Sequence, residues 1–401
     1  MLPLTTLESP MKRHGDHNKS LLLRNRGWID WIKSQGARRR RYSGGMATHG
    51  KKLMTEELMT EGEANDRSNF AGKAVLLTGC TNGIGAAALD ELVSLSEETR
   101  PSKMILLNRN PELSRQKAEL VRQKGIEVSV YIADLSKPED TLRVIKEIVA
   151  GEPELDIAIL NAGFWKCLTT NERVVQEDNL EFHYAVNYLQ QVLLAEGLAP
   201  LMCATAKKKA SGDKESRIVV VGSFTAFDIS KGELSLDLLR APEGKHGATM
   251  PNDFCYSQSK LAQHVWTKAI VEDQGGIADN VTVNIVCPGG VETNNEVIHL
   301  LKRKTGCLYS FIASCVLGQR QPVEGCKPLL CCGGSKVFKN VSGKHLTFGT
   351  GGKLVYNAPC DPEFFPQSKW NVCPSIIDKD LRQRLLKDTA EVIQKMKDTY
   401  K

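Results

Sequence analysis

The chain has 401 residues, of which 41% are hydrophobic and 25% charged, and its net charge is +6. This composition is typical of a folded globular protein and excludes fibrous and fully disordered chains. Residues 1–52 contain 12 Lys and Arg against 3 Asp and Glu, whereas the rest contain 41 against 44. Because the remaining chain is slightly acidic, nucleic-acid binding is not expected. The twelve cysteines include no Cys-x-x-Cys pair, so we predict reduced thiols and no metal site.

The N-terminal segment, residues 1–69, is predicted to be a basic tail outside the folded domain. Its arginine run, Arg38 to Arg41, is followed by small and polar residues. Three interpretations remain open: a disordered tail, a mitochondrial targeting segment, and a translation start at Met46. N-terminal sequencing of the mature protein distinguishes them.

From residue 70 onward the sequence predicts a single α/β domain. Short apolar runs at 73–78, 104–108, 128–133, 157–160, 218–221 and 281–286 alternate with segments of helical length. Strands buried on both faces and separated by helices indicate a doubly wound parallel sheet with helices on both faces. Near the end, Leu381, Leu385, Val392 and Met396 follow helical spacing. We therefore expect a terminal helix, capped by Ser375 or Asp378.

A glycine-rich turn follows the first strand of this domain. It reads TGCTNGIG from Thr78 to Gly85. Gly79 allows a sharp turn, Gly83 lets the backbone approach a pyrophosphate, and Gly85 permits close helix–strand packing. The helix N-terminus that follows presents unpaired N–H groups to an anion. This turn predicts a dinucleotide site that also includes Asn82 and Ile84.

The end of the second predicted strand discriminates between the two nicotinamide dinucleotides. An acidic residue there would bind the ribose hydroxyls, but Asn108 and Arg109 occupy this position. A guanidinium pairs well with a phosphate, so Arg109 favours NADP(H) over NAD(H). The alternative is a solvated surface charge.

A tyrosine and a lysine share one face of a predicted helix, as Tyr256-x-x-x-Lys260. A nearby ammonium lowers the pKa of a phenol, which makes Tyr256 a candidate acid and base beside a nicotinamide. Ser223 ends one strand, Asn161 and Gly163 end another, and Pro288 to Thr293 follow a third. Ligands of open α/β sheets gather at these strand ends.

Taken together, these motifs resemble the short-chain dehydrogenase/reductase family, from about Gly72 to Thr293. The resemblance implies a Rossmann-type fold, with Tyr256 as acid and base, Lys260 as its activator and ribose ligand, and Ser223 as donor to the substrate oxygen. It also implies that Asn187 holds a water that relays protons to Lys260. Further cofactor contacts are implied at Asp134, Leu135, Asn161, Gly163, Pro288, Gly289, Val291 and Thr293. The chain departs from the family at Gly222, where many relatives carry a second serine.

The segments from Pro322 to Cys326 and from Val341 to Lys344 resemble retinol-dehydrogenase-like members. This implies an NADP(H)-dependent oxidoreductase acting on a lipophilic carbonyl or alcohol, such as a retinoid or steroid. Two alternatives stay open: a sterol 3-keto reductase-like enzyme, and a non-catalytic NADPH-binding sensor or scaffold. Residues 229–250 and 294–320 are expected to cover an apolar pocket. The apolar stretch at 307–318 either covers this pocket or lies at a membrane surface.

The sequence contains no stretch of 18 uncharged apolar residues, so no membrane span is predicted. We expect a cytoplasmic protein, with a mitochondrial or membrane-surface location as alternatives. Peripheral membrane association and a homodimer are further possibilities.

Overall fold

Within the part of the chain that the structure describes, nine strands form one sheet. The computed structural model describes residues 57–165, 180–209, 215–227, 233–236, 252–291, 320–348, 354–357 and 374–400. The strands are β1 (Glu57–Leu58), β2 (Ala74–Thr78), β3 (Lys103–Asn108), β4 (Glu127–Ile132), β5 (Ile157–Leu160), β6 (Ser216–Val221), β7 (Val281–Val286), β8 (His345–Phe348) and β9 (Leu354–Asn357).

The sheet has the order β1-β9-β8-β7-β6-β5-β2-β3-β4. The seven strands from β4 to β8 pair in parallel, and all six predicted strands are among them. β8 was not predicted as a strand, and neither were β9 and β1, which extend the edge by antiparallel pairing. The order reverses between β2 and β5, so a crevice opens at their carboxyl ends.

Helices cover both faces of the sheet, which confirms the predicted doubly wound α/β fold. They are α1 (Glu61–Asn65), α2 (Gly83–Val93), α3 (Pro111–Gln123), α4 (Pro138–Gly151), α5 (Gln190–Lys208), α6 (Asn252–Glu272), α7 (Pro322–Gly325), α8 (Lys327–Gly334), α9 (Pro374–Ile377) and α10 (Lys379–Thr399). One apolar cluster joins the sheet to α4, α5, α6 and α10. The other joins it to α2, α3 and α8.

The predicted terminal helix is α10. The side chain of Asp378 accepts a hydrogen bond from the Leu381 amide at 3.0 Å, so Asp378 is the cap. Leu385 and Met396 are buried as their spacing predicts. Arg382, also buried, forms a forked ion pair with Asp273 of the segment after α6, at 2.7 and 2.8 Å.

Residues 57–69, which the prediction assigns to the tail, pack against the rest of the described structure. β1 pairs with β9, and Met59 is buried. Asp66 accepts the Lys336 amide at 2.9 Å, and the Asn69 side chain donates to the Gly333 carbonyl at 2.9 Å. These polar residues are held by contacts with distant parts of the chain. Residues 1–56 lie outside the described residues, so the nature of the tail stays a prediction.

Among the described residues, one continuous helical segment, Tyr184–Lys208, is long and apolar enough to cross a bilayer. Of its most apolar window, 67% is buried inside the protein. Core helices of globular domains have the same property, so the segment is weak support for a membrane span.

Candidate active site

The glycine-rich turn joins β2 to α2 and has the conformation that the sequence predicts. Gly79 and Gly83 have φ angles of +67° and +57°, a region that favours glycine. A Cβ on Gly85 would lie 2.2 Å from the Gly79 carbonyl oxygen. Helix α2 begins at Gly83, with Asn82 exposed in front of it. The turn is therefore tight, and its helix N-terminus faces the crevice.

Two asparagine side chains hold this turn in place. The Asn161 amide, after β5, donates to the carbonyl oxygens of Thr78 and Gly79 at 3.0 and 3.1 Å. The buried Asn108, at the end of β3, accepts the Cys80 amide at 2.8 Å. From the sequence, Asn108 indicates only that no acidic residue occupies this position. Its burial is the signal for a structural role, because a buried polar side chain at a strand end forms a hydrogen bond to a nearby backbone group.

The adenine side of the predicted cofactor site lies at the ends of β3 and β4. Arg109 is exposed directly after β3. Asp134 follows β4, where its carboxylate accepts bonds from the Ser136 amide and hydroxyl at 3.0 and 2.8 Å. Leu135 is buried in the core behind it. The residues predicted to contact the adenine side of the cofactor therefore follow neighbouring strands. The Asp134 carboxylate also stabilises the turn after β4 through its bonds to Ser136.

The candidate catalytic side chains meet beside β6. Ser223, two residues beyond β6, lies beside Tyr256 on α6 and exerts a hydrogen-bonding effect on the pKa of its phenol. Lys260 is buried; its Nζ donates to the Val221 carbonyl at 2.8 Å and lies 5.8 Å from the centre of the Tyr256 ring. The tyrosine, lysine and serine are thus brought together as predicted.

Burial dominates the ionisation of this cluster. It raises the pKa of Tyr256 to about 12, against the opposing effect of the Ser223 hydrogen bond. It also lowers the pKa of Lys260 to about 8. Lys260 is not among the groups that shift the pKa of Tyr256 here, and the expected lowering beside a bound nicotinamide stays a prediction. Burial disfavours the charged form of each group.

Asn187 lies in a π-helical turn, Tyr184–Leu189, that leads into α5. Its side-chain amide donates to the Phe164 carbonyl at 2.9 Å and to Ser259 Oγ at 3.1 Å, and its Oδ1 accepts the Phe164 amide at 2.7 Å. Its own carbonyl accepts a bond from Gln263 at 2.6 Å. These bonds tie the strand end after β5 to the catalytic helix. The water-holding role stays a prediction.

The loop after β7 closes the other side of the crevice. Pro288 is buried, and Gly289 has a φ angle of +74°. A Cβ on Gly289 would lie 2.8 Å from the Arg320 guanidinium. Val291 packs against Gly325 of α7 and pairs with Arg320. Thr293, the stretch at 307–318 and most of 229–250 lie outside the described residues.

Two aromatic side chains flank the catalytic cluster, and sequence reasoning missed both. Trp165 is 38% exposed, with its ring centre 5.8 Å from that of Tyr256. Phe224, directly after Ser223, is also 38% exposed. Phe224 directly follows Ser223, and Trp165 is two residues after Gly163. An aromatic residue this close to a predicted site residue is the sequence signal that could have identified both.

Comparison with known proteins agrees with this geometry. The short chain dehydrogenase family model matches residues 73–233. Human retinol dehydrogenase 14 is 30% identical over 287 residues, which cover 69% of this chain and 78% of the relative. The chain belongs to the short-chain dehydrogenase family. The protein is therefore an oxidoreductase of the class that acts on alcohol and carbonyl groups, as the motifs predicted.

Other members of the family share more of the chain or its fold. Human retinol dehydrogenase 13 is 27% identical over 352 residues, covering 86% of this chain and 91% of the relative. L-sorbose reductase from Gluconobacter frateurii, solved with NADPH and L-sorbose, superposes with a TM-score of 0.53 at 19% identity. That match covers 71% of this chain and 98% of the solved chain, and it supports the fold.

Proposed function

We propose that the protein is an NADP(H)-dependent oxidoreductase that interconverts a lipophilic carbonyl compound and its alcohol. The observation that carries this proposal is that Tyr256, Ser223 and Lys260 meet at the carboxyl edge of the sheet. Lys260 Nζ lies 5.8 Å from the centre of the phenol ring and is held by the Val221 carbonyl at 2.8 Å. A phenol and a hydroxyl held together there are suited to bind one substrate oxygen.

The crevice fits a dinucleotide. The positive φ angles at Gly79 and Gly83 and the close contact at Gly85 leave room for a pyrophosphate at the start of α2. Gly163 is exposed, and a Cβ on it would lie 3.7 Å from Lys260 Nζ, so the ribose side of the crevice reaches the lysine. When bound, the nicotinamide supplies or accepts the hydride.

Arg109 supports NADP(H) as the preferred cofactor. Its exposed guanidinium follows β3, where a 2′-phosphate would be bound in a dinucleotide site of this type. L-sorbose reductase, solved with NADPH, shares this fold. Arg109→Asp is expected to weaken NADPH binding and favour NADH. Arg115→Asp, an exposed position on α3, is the matched control. Unchanged NADPH affinity in Arg109→Asp would disprove this assignment.

Tyr256 acts as the proton donor when a carbonyl is reduced. Because burial raises its pKa to about 12, the phenol is protonated at neutral pH. Ser223 orients the same oxygen, and the charge of Lys260 stabilises the phenolate that forms after proton transfer. In the reverse direction the phenolate accepts the proton of the alcohol.

An apolar substrate fits the aromatic side chains at the site. Trp165, whose ring centre is 5.8 Å from that of Tyr256, and Phe224, which directly follows Ser223, both expose apolar surface. Such surface beside a few polar groups is typical of sites for apolar ligands. The names of the two retinol dehydrogenase relatives support the same substrate class.

A substrate panel tests the proposal. Purified full-length protein with NADPH is offered retinal, steroid ketones and aliphatic aldehydes, and loss of NADPH absorbance is followed. Tyr256→Phe is expected to reduce turnover by about 10²–10⁴-fold. Tyr400→Phe, an exposed residue after α10, is the matched control. Full turnover in Tyr256→Phe would refute the mechanism, and NADPH binding without turnover would favour a sensor or scaffold.

The panel also separates the remaining alternatives. Preference for a steroid ketone would favour the sterol reductase-like alternative over retinoid chemistry. A cytoplasmic location, peripheral membrane association and a homodimer stay predictions of this proposal.

A further inference from the structure

A pair of buried histidines lies directly behind the catalytic cluster. His264 is on α6, one turn after Lys260 and two turns after Tyr256, and its side chain is fully buried. His345, the first residue of β8, is also buried. The two ring centres are 4.9 Å apart and the rings are nearly perpendicular. Nothing in the proposed chemistry uses either imidazole.

The His264 ring fills the space beside the strand end that carries Ser223. A Cβ on Gly222 would lie 2.9 Å from His264 Nε2 and 3.0 Å from the side chain of Ile285. A distance below 3.0 Å is shorter than packed carbon and nitrogen atoms adopt, so any larger residue at position 222 must displace the ring or the strand. Because His345 packs against the ring, displacement of the strand end is favoured.

The strand end is where a small movement affects chemistry most. Gly222 donates to the Val286 carbonyl at 2.8 Å and is followed by Ser223, which lies beside Tyr256 and influences the pKa of its phenol. The Lys260 amine is held by the Val221 carbonyl, one residue before Gly222. The residue before Gly222 therefore holds Lys260, and the residue after it is Ser223.

We propose that His264, supported by His345, is a positioning residue that fixes Ser223 and Lys260 against Tyr256, and that Gly222 provides the space that its ring occupies. Burial keeps both imidazoles neutral, because it holds the pKa of each below its usual value. The pair can therefore pack close to Lys260 without placing a second cation there. The inference rests on the proposed function, because the position of Ser223 matters only if it binds the substrate oxygen.

Reciprocal substitution tests the proposal. Gly222→Ala is expected to lower kcat by about 10²-fold, because a displacement of about 1 Å has an effect of this size, with little change in NADPH affinity. Adding His264→Ala removes the ring and is expected to restore most of the lost kcat and Tm. His264→Ala alone is expected to lower kcat less than Gly222→Ala does. Gly62→Ala, whose new Cβ would have 4.0 Å to its nearest neighbour, is the matched control.

The outcomes separate this inference from the proposed function. A double variant no more active and no more stable than Gly222→Ala would overturn it, as would normal kcat in Gly222→Ala or in His264→Ala alone. Should Gly222→Ala be too unstable to assay, recovery of a folded, active protein on adding His264→Ala supports the inference, and failure to recover overturns it. Failure of the proposed function has a different signature, which is turnover that survives in Tyr256→Phe.

Discussion

His345 makes the stability of the protein sensitive to mild acid. Its imidazole is 5% exposed, and burial lowers its pKa from 6.5 to about 4. Between these two values the unfolded chain binds more protons than the folded one, so the free energy of unfolding falls as the pH drops. For one group with these two pKa values, the loss between pH 7 and pH 5 is about 2 kcal/mol, from the linkage relation.

His345→Gln removes this titration and keeps a polar side chain of similar length. Urea unfolding of the wild type and the variant, followed by tryptophan fluorescence at both pH values, measures the difference. Any loss of packing in the variant is present at both pH values and cancels. The wild type is expected to lose about 2 kcal/mol more than the variant on acidification. Equal losses in the two proteins would refute the reasoning, because His345 would then titrate alike in the folded and unfolded states.

Three further substitutions test the turn, the pocket and the terminal helix. Gly85→Ala places a Cβ 2.2 Å from the Gly79 carbonyl, so it is expected to lower stability by about 1–3 kcal/mol and to weaken NADPH binding; a wild-type Tm and Kd would contradict this. Trp165→Ala is expected to raise KM for an apolar carbonyl substrate about two- to tenfold at similar kcat. This change corresponds to the loss of about 0.5–1.5 kcal/mol of aromatic contact. An unchanged KM would show that the substrate does not contact Trp165. Asp273→Ala removes the forked partner of Arg382, which keeps Glu272 at 3.5 Å and the Ile376 carbonyl at 3.1 Å, and is expected to lower stability by about 1.5–3 kcal/mol in urea unfolding. A loss below about 0.5 kcal/mol would show that the pair is solvated.

Local sequence patterns predicted the central sheet well. The parallel strands buried on both faces appear as continuous apolar runs, such as Ile157–Leu160, and these bounds agree with the structure. The pattern was least informative at the sheet edge. β1 has two residues, and segment 57–69 is mostly polar, so no apolar period marks it. Its order depends on partners such as Gly333 and Lys336, which lie far away in sequence.

The candidate site divides in the same way. The glycine turn and the Tyr256 to Lys260 spacing are local, so the sequence predicted them. The balance between burial and charge at Tyr256 depends on how many atoms surround the phenol, which spacing does not encode. The contact between Gly222 and His264 joins residues 42 positions apart and was also not predicted.

The bonds between Asn187 and Phe164 have a consequence for engineering. One side chain satisfies both the N–H and the C=O of a single peptide residue, as a neighbouring strand would. The segment after β5 that carries Trp165 is therefore held by the π-helical turn at Asn187, and the same turn contacts α6 through Ser259. Redesign of substrate acceptance is best begun with the Trp165 side chain. Changes to the Phe164 backbone would also disturb Asn187 and, through Ser259, the helix that carries Tyr256 and Lys260.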